Sequence, residues 1–232
     1  MDFISLLLML PQEAAAAATD GGYVNSLVIR FNEGGDYMWP ILVSFIIGLA
    51  LAFERIVTLN RADINTRKFI LKVKQALEQG GISAAEEVCA NTRGPVASVF
   101  QAGLMRHDEG IEAVEKAVVS YGSIEMSFLE RGLVWLSLFI SLAPMFGFLG
   151  TVVGMVEAFD AIEAAGDISP TLVAGGIKVA LLTTVFGLIV AIILQFFYNY
   201  ITSKIDRIVV DMEEAAIELI DSLVMIQSKS KG

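Results

Sequence analysis

The segment GLVWLSLFISLAPMFGFLGTVVGMV, from Gly132 to Val156, runs for 25 residues without a formally charged side chain. A second uncharged run of 25 residues, VALLTTVFGLIVAIILQFFYNYITS, extends from Val179 to Ser203. A bilayer core about 30 Å thick needs about 20 apolar helical residues, so both runs are long enough to cross it. The shorter stretch from Tyr37 to Phe53, with Trp39 near its start, gives a third candidate. The sequence therefore predicts an all-α membrane protein with three spans.

The composition agrees with a membrane protein. Hydrophobic side chains make up 55% of the 232 residues and charged ones only 18%, below the usual quarter of a soluble domain. We expect the lipid bilayer, and no nucleic acid, as the partner of this surface. The net charge of -10 decides little, because a membrane protein sorts its charges by compartment.

Basic residues orient the three spans. Of the 16 lysines and arginines, all but Arg30 and Lys178 fall on the same side of these spans. Loops rich in Lys and Arg stay in the cytoplasm during insertion. We therefore expect a cytoplasmic C-terminus and a periplasmic N-terminus.

The predicted organisation has seven segments. They are an N-terminal periplasmic segment with an interfacial helix (1–36), a first transmembrane helix (37–59), a cytoplasmic helical domain (60–131), a second transmembrane helix (132–158), a periplasmic loop (159–170), a third transmembrane helix (171–203) and a cytoplasmic C-terminal helix (204–232). Residues 1–18 lack the basic residue that starts a secretory signal, so we expect a retained segment. The interfacial helix could lie on lipid or on a neighbouring subunit, and its apolar face carries Val24, Leu27, Val28 and Phe31.

Two of the spans are expected to extend as helices into the cytoplasm. From Glu109 the helical pattern runs without proline through Arg131, which predicts one continuous helix entering the second span. After the third span, Ile205, Met212 and Leu219 recur every seven residues. This stripe predicts packing within the same subunit.

Threonines lie at one depth in the second and third spans. Thr151 precedes Glu157 by six residues on a helix running outward, and Thr184 follows Lys178 by six on a helix running inward. Each step covers about 9 Å of helix, so the threonines share a level if the two charges do. Glu157 and Lys178 would then lie at the outer interface, where we expect them to form an ion pair.

Thr151, Thr184 and the neighbouring Thr183 are therefore candidates for a proton pathway along a lumen. Their hydroxyls can donate and accept hydrogen bonds or order water, but they cannot hold a proton. The structural alternative is that each hydroxyl bonds a carbonyl one turn earlier in its own helix. The shared depth favours a site.

Small residues in the same two spans predict close helix packing. Glycine lets helix backbones approach each other within a membrane. The candidates are Gly147, Gly150, Gly154 and Gly187.

An ionisable proton carrier is missing from the middle of every span, where no Asp, Glu or His occurs. A membrane proton pathway ordinarily needs such a carrier. Either this chain conducts no protons, or a carboxylate of another chain lies beside the threonines. No constellation of nucleophile, base and metal ligands occurs either, so we expect no catalytic residue, no metal, no cofactor and no enzymatic activity.

The residues LAPMFGFLGTVVGM, Leu142–Met155, resemble the second-span signature of the MotA/TolQ/ExbB proton-channel family. The run ALLTTVFGL, Ala180–Leu188, is similar to its third-span motif, and Trp39–Leu42 with Glu54-Arg55 match the two ends of its first span. The resemblance covers roughly Tyr37 to Tyr200 and is nearest to the ExbB branch, the biopolymer transport proteins.

This resemblance implies a homopentameric ring in the bacterial inner membrane. The ring would surround two single-span helices of an ExbD/TolR-like partner, each carrying a proton-binding aspartate, with Thr151 and Thr184 facing the lumen. Proton flow would drive mechanical work, passed to a TonB-like protein for outer-membrane transport. A TolQ-like subunit of the Tol-Pal system and a non-conducting membrane scaffold are the alternatives.

Two positions depart from the pattern. ExbB and TolQ proteins commonly place a glutamate five residues before the third-span threonine, where this chain has Val179. They often have a proline where this chain has Ile193. A step that depends on that glutamate is therefore not carried over.

Overall fold

The computed structural model describes residues 22–166 and 170–230, and every regular element among them is helical. The all-α prediction is thus confirmed for the described residues, while the expectation for residues 1–18 lies outside them. The helices are α1 (Gly22–Glu33), α2 (Met38–Ala62), α3 (Thr66–Ala90), α4 (Pro95–Leu104), α5 (Ile111–Leu129), α6 (Leu133–Ala165) and α7 (Pro170–Ser230), with a short 3₁₀ helix at His107–Glu109.

Three helical stretches are long and apolar enough to cross a membrane. They are Met38–Ala90, Ile111–Ala165 and Val173–Ile226, and each overlaps one of the three predicted spans. The longest helix, α7, continues for 61 residues because no proline follows its first residue. Helix α6 continues through Pro144.

The prediction of one continuous helix from Glu109 into the second span is wrong. Helix α5 ends at Leu129 and α6 begins at Leu133. Between them Gly132 has a φ of 89°, a conformation that only glycine adopts without strain. A Cβ at this position would also lie 3.0 Å from Arg55 Nε. The break therefore depends on the absence of a side chain at residue 132.

The chain forms two compact units. The first comprises Met1–Ile47 and Leu138–Leu194. In its described part, α1 is joined to α2 by an edge-on contact of Phe31 with Trp39, whose ring centroids are 5.5 Å apart. Leu27 and Val28, on the apolar face of α1, remain more than half exposed. That face is thus available to lipid or to another chain.

The second unit comprises Gly48–Ser137 and Gln195–Gly232. The predicted heptad stripe of α7 is buried here, with Ile205, Met212 and Leu219 at most 5% exposed. A Cβ on Gly103 of α4 would come within 3.2 Å of the Leu219 side chain. The stripe therefore packs within the chain, as expected.

An ion-pair cluster joins α7 to the end of α2 in this unit. Asp63 Oδ2 lies 3.5 Å from Lys204 Nζ and 3.3 Å from Arg207 Nη2, and the Lys204 side chain is only 10% exposed. Asp63→Asn leaves this ammonium without its counter-charge, so we expect a loss of about 1–2 kcal/mol and a lower melting temperature in detergent. Arg207→Gln is the control, because Arg207 is 65% exposed and should matter by less than about 0.5 kcal/mol. Equal shifts for both variants would contradict this account.

Cys89 is buried in α3 and should be unreactive. Burial, with a smaller contribution from Glu86, raises the pKa of its thiol from 9.0 to about 12. We expect no maleimide labelling of the native protein at pH 7–9 and full labelling after unfolding. Moving the thiol to the exposed neighbour, as Cys89→Ala with Ala90→Cys, should restore labelling. The native thiol stays neutral to a higher pH than the thiol of the unfolded chain. The contribution of Cys89 to the free energy of unfolding is therefore fully present below pH 9 and is lost as the pH rises towards 12.

Candidate functional site

Two threonine hydroxyls meet where α6 and α7 pack together in the first unit. Thr151 Oγ1 and Thr184 Oγ1 are in direct hydrogen-bond contact. Both side chains are half-buried. The two threonines that were expected to share a depth are therefore in contact across two helices that run in opposite directions.

Each hydroxyl also reaches a carbonyl of the opposite helix. Thr151 Oγ1 donates to Ala180 O at 3.0 Å, and Thr184 Oγ1 donates to Gly147 O at 3.3 Å. These carbonyls lie one turn before the threonine of their own helix, and Thr151 Oγ1 also lies 3.2 Å from Gly147 O. The pair thus has several acceptors for two protons.

That geometry permits two proton arrangements. If Thr151 donates to Ala180 O, Thr184 can donate to Thr151. If Thr184 donates instead to Gly147 O, Thr151 can donate to Thr184. The arrangements differ only in the positions of two hydroxyl protons, and neither requires an ionised group. The pair can therefore reorient hydrogen bonds to a neighbouring water or carboxyl group without storing a proton.

Thr183 occupies a different environment from the other two threonines. Its side chain is fully buried, and its hydroxyl donates within α7 to Ala180 O at 2.9 Å and Val179 O at 3.2 Å. A Cβ on Gly150 would lie 2.7 Å from Thr183 Oγ1. The structure does not bring Thr183 into the hydroxyl pair, and its contacts are those of a packing residue.

Glycines hold the two backbones close on both sides of the hydroxyl pair. A Cβ on Gly147 would lie 2.8 Å from Thr183 O, and one on Gly187 would lie 2.6 Å from Ala143 O. Both obstacles are backbone atoms, which cannot rotate away as a side chain can. The threonine contact thus requires glycine at these two positions.

The close approach continues towards the start of α7. A Cβ on Gly154 would lie 3.1 Å from Gly176 O and 3.2 Å from Ala180 N. All four glycines that the sequence singled out therefore lie at the contact between α6 and α7.

The ion pair expected between Glu157 and Lys178 does not form. Lys178 Nζ lies 2.6 Å from Glu33 Oε1, at the end of α1. Nearby, the Gly34-Gly35 turn brings α1 back to α7, since a Cβ on Gly35 would lie 3.7 Å from Val179 Cγ1. Glu33, the last residue of α1 before this turn, therefore pairs with Lys178 in the place that the sequence analysis gave to Glu157.

Within the described part of the chain, no group of three or more His, Cys, Asp or Glu side chains could hold a metal ion. The site offers hydroxyls and carbonyls. The carbonyls of Gly147 and Ala180 are those that the structural alternative pointed to, four residues before each threonine, and Thr151 Oγ1 does lie 3.2 Å from Gly147 O. The sequence did not indicate that each carbonyl would accept from the opposite helix, nor that Glu33 would supply a carboxylate.

Comparison with known proteins gives a consistent result. Residues 91–214 match the family model described as "MotA/TolQ/ExbB proton channel family". The chain is 35% identical over 185 residues to a "Putative biopolymer transport protein ExbB homolog" of Methanothermobacter thermautotrophicus, covering 79% of this chain and 66% of that protein. It is 40% identical over 181 residues to a "Putative biopolymer transport protein ExbB-like 1" of Helicobacter pylori, covering 78% and 89%. A "Tol-Pal system protein TolQ" of Haemophilus influenzae is 34% identical over 84 residues, covering 36% and 37%.

Proposed function

Since the chain belongs to the MotA/TolQ/ExbB proton channel family, with relatives named ExbB, we propose that it is the ring-forming subunit of a proton-driven complex in the inner membrane. The proposal rests above all on the contact between Thr151 and Thr184 across two candidate spans. A cross-helix hydroxyl pair is suited to handing hydrogen bonds to a titrating group that passes beside it.

The titrating group would come from a partner chain. No Asp, Glu or His lies in the uncharged runs of α6 and α7 from which the threonines project. We infer a single-span ExbD/TolR-like partner whose membrane aspartate loads and releases the proton inside a homopentameric ring of this chain. The proton gradient would then drive movement of that partner.

We propose that this movement drives the same kind of partner protein as in ExbB systems. Two relatives that align over 79% and 78% of this chain are named as a putative ExbB homolog and a putative ExbB-like protein, whereas a TolQ protein aligns over 84 residues. We propose coupling to a TonB-like protein, with the N-terminus in the periplasm and the C-terminus in the cytoplasm. A TolQ-like role would use the same threonines with a different output protein.

Reconstitution tests the proposed function. The chain is co-purified with an ExbD/TolR-like single-span protein from the same organism, placed in liposomes, and assayed for proton uptake under an imposed potassium diffusion potential. We expect flux only when both proteins are present, and its loss when the partner's membrane aspartate is changed to asparagine. Flux through this chain alone would overturn the proposal. A stable complex without flux would favour the scaffold.

A further inference from the structure

An open cavity with a mixed polar and apolar lining lies beside the break between α5 and α6, within the second unit. Its volume is about 370 Å³. Four of its lining residues have an oxygen atom in the side chain, namely Glu130, Ser137, Tyr198 and Thr202. The other two, Leu133 and Val134, are apolar. The proposed proton pathway uses none of them.

The Thr202 hydroxyl at this cavity has no partner within the described part of the chain. Its Oγ1 is buried and has no hydrogen-bond partner in the described structure. In the same unit, Ser123 and Ser222 satisfy their hydroxyls by donating to the carbonyl four residues earlier, at 3.1 and 2.6 Å. Buried hydroxyl oxygens in proteins usually have a hydrogen-bond partner. A ligand that donates a hydrogen bond would supply one to the Thr202 oxygen.

Two further groups at the cavity have no partner within the described residues. Glu130 is exposed and Tyr198 is half-buried, and neither the carboxylate nor the phenol hydroxyl forms a hydrogen bond or an ion pair there. The carboxylate accepts only, and the two hydroxyls can accept. The cavity therefore offers three acceptor groups and one negative charge. A primary ammonium, with three N–H donors and one positive charge, is the complementary ligand.

The lining residues lie near the expected boundary between membrane and water, which points to a lipid headgroup as the source of the ammonium. The cavity lies where the uncharged runs end, next to the basic residues Arg131 and Lys204. Trp135 and Tyr200 are 60% and 51% exposed, which is typical of side chains at the boundary between membrane and water. Val134, which lines the cavity, is 79% exposed and offers an apolar surface to an acyl chain.

We propose that this cavity binds the headgroup of an aminophospholipid, with the primary ammonium held by Glu130, Thr202 and Tyr198. The lipid acyl chains would lie along Val134 and the neighbouring apolar surface. The proposal requires the chain to lie in a bilayer, but it is independent of proton conduction.

Native mass spectrometry of the purified full-length protein tests this site. The protein is equilibrated in micelles with equal amounts of phosphatidylethanolamine and phosphatidylcholine that carry the same acyl chains. We expect the ethanolamine lipid to be retained about tenfold over the choline lipid, whose trimethylated nitrogen donates no hydrogen bond. The mono- and dimethylated headgroups should fall between them, in order of the donors they keep.

Substitutions assign the preference to the cavity. Glu130→Gln should reduce the lipid ratio to about one, and Thr202→Val should reduce it by a smaller factor. Glu115→Gln is the control, because Glu115 is exposed on α5 and lies outside the cavity. Melting temperatures of the variants verify folding, and the methylation series on the unmodified chain tests the proposal even if a variant fails to fold.

Equal retention of all headgroups by the unmodified chain would overturn the proposal. So would an unchanged preference in Glu130→Gln. If Glu130→Gln instead dissociated the purified assembly without affecting lipid retention, the cavity would hold a basic side chain of a neighbouring copy, and the lipid assignment would be wrong.

Discussion

Thr184→Val is expected to lower the proton flux of the reconstituted complex by about tenfold or more, and Thr151→Val to do the same. Valine keeps the shape of threonine but removes the hydroxyl. A hydrogen bond to a charged group contributes about 1.5–3 kcal/mol, which corresponds to a factor of ten or more in rate when it is lost from the transfer step. Because the hydroxyls contact each other, the double variant should be little worse than either single variant.

The same substitutions should affect stability much less than flux. The carbonyls of Gly147 and Ala180 accept helical N–H groups in any case, so no backbone group becomes unpaired. Hydrogen bonds between membrane helices contribute about 0.6 kcal/mol on average. We therefore expect normal assembly with the partner, measured by co-purification, alongside the reduced flux.

Thr183→Val is the matched control for this experiment. Thr183 is adjacent in sequence, but it is fully buried and bonds only carbonyls of its own helix. We propose that it packs against Gly150 and takes no part in proton transfer, so its flux should stay within about twofold of the unmodified chain. Equal losses in all three variants would indicate a packing effect. Unchanged flux in Thr151→Val and Thr184→Val would remove the hydroxyl pair from the pathway.

The spans and the depth of the threonines could be predicted from the sequence because both depend on local quantities. An uncharged run of 25 residues is long enough for a bilayer whatever surrounds it. A rise of 1.5 Å per residue puts Thr151 and Thr184 at one level once Glu157 and Lys178 are taken to share a depth, which does not require these two to form an ion pair. The contact of the threonines then needs only that the helices pack closely.

Contacts set by tertiary packing could not be predicted in the same way. Lys178 pairs with Glu33, which is 145 residues earlier in the chain, because the turn at Gly34-Gly35 returns α1 to α7. The break at Gly132 gave no signal, since glycine is common within membrane helices. The structure shows the break through the positive φ of Gly132 and through the Arg55 side chain packed against it.

Gly187→Ala is expected to separate α6 from α7 and to disable the site with one methyl group. The added Cβ would lie 2.6 Å from Ala143 O and 3.2 Å from Gly147 Cα, both backbone atoms, whereas ordinary contact begins near 3.4 Å. Overpacking of this kind costs about 1–3 kcal/mol. Since Gly187 lies one turn from Thr184, the shift should also part the two hydroxyls and lower flux together with stability.

Gly175→Ala separates the packing effect from the general effect of replacing a glycine in α7. A Cβ on Gly175 would meet nothing within 4 Å, so alanine there should be neutral or should stabilise the helix by up to about 1 kcal/mol. The measurements are the melting temperature and the proton flux of the two variants in the same reconstituted complex. Opposite shifts in stability, with flux lost only in Gly187→Ala, are the expected pattern. If Gly187→Ala melted and conducted like Gly175→Ala, the helices would be able to part without cost, and the hydroxyl contact could not be what their close approach preserves.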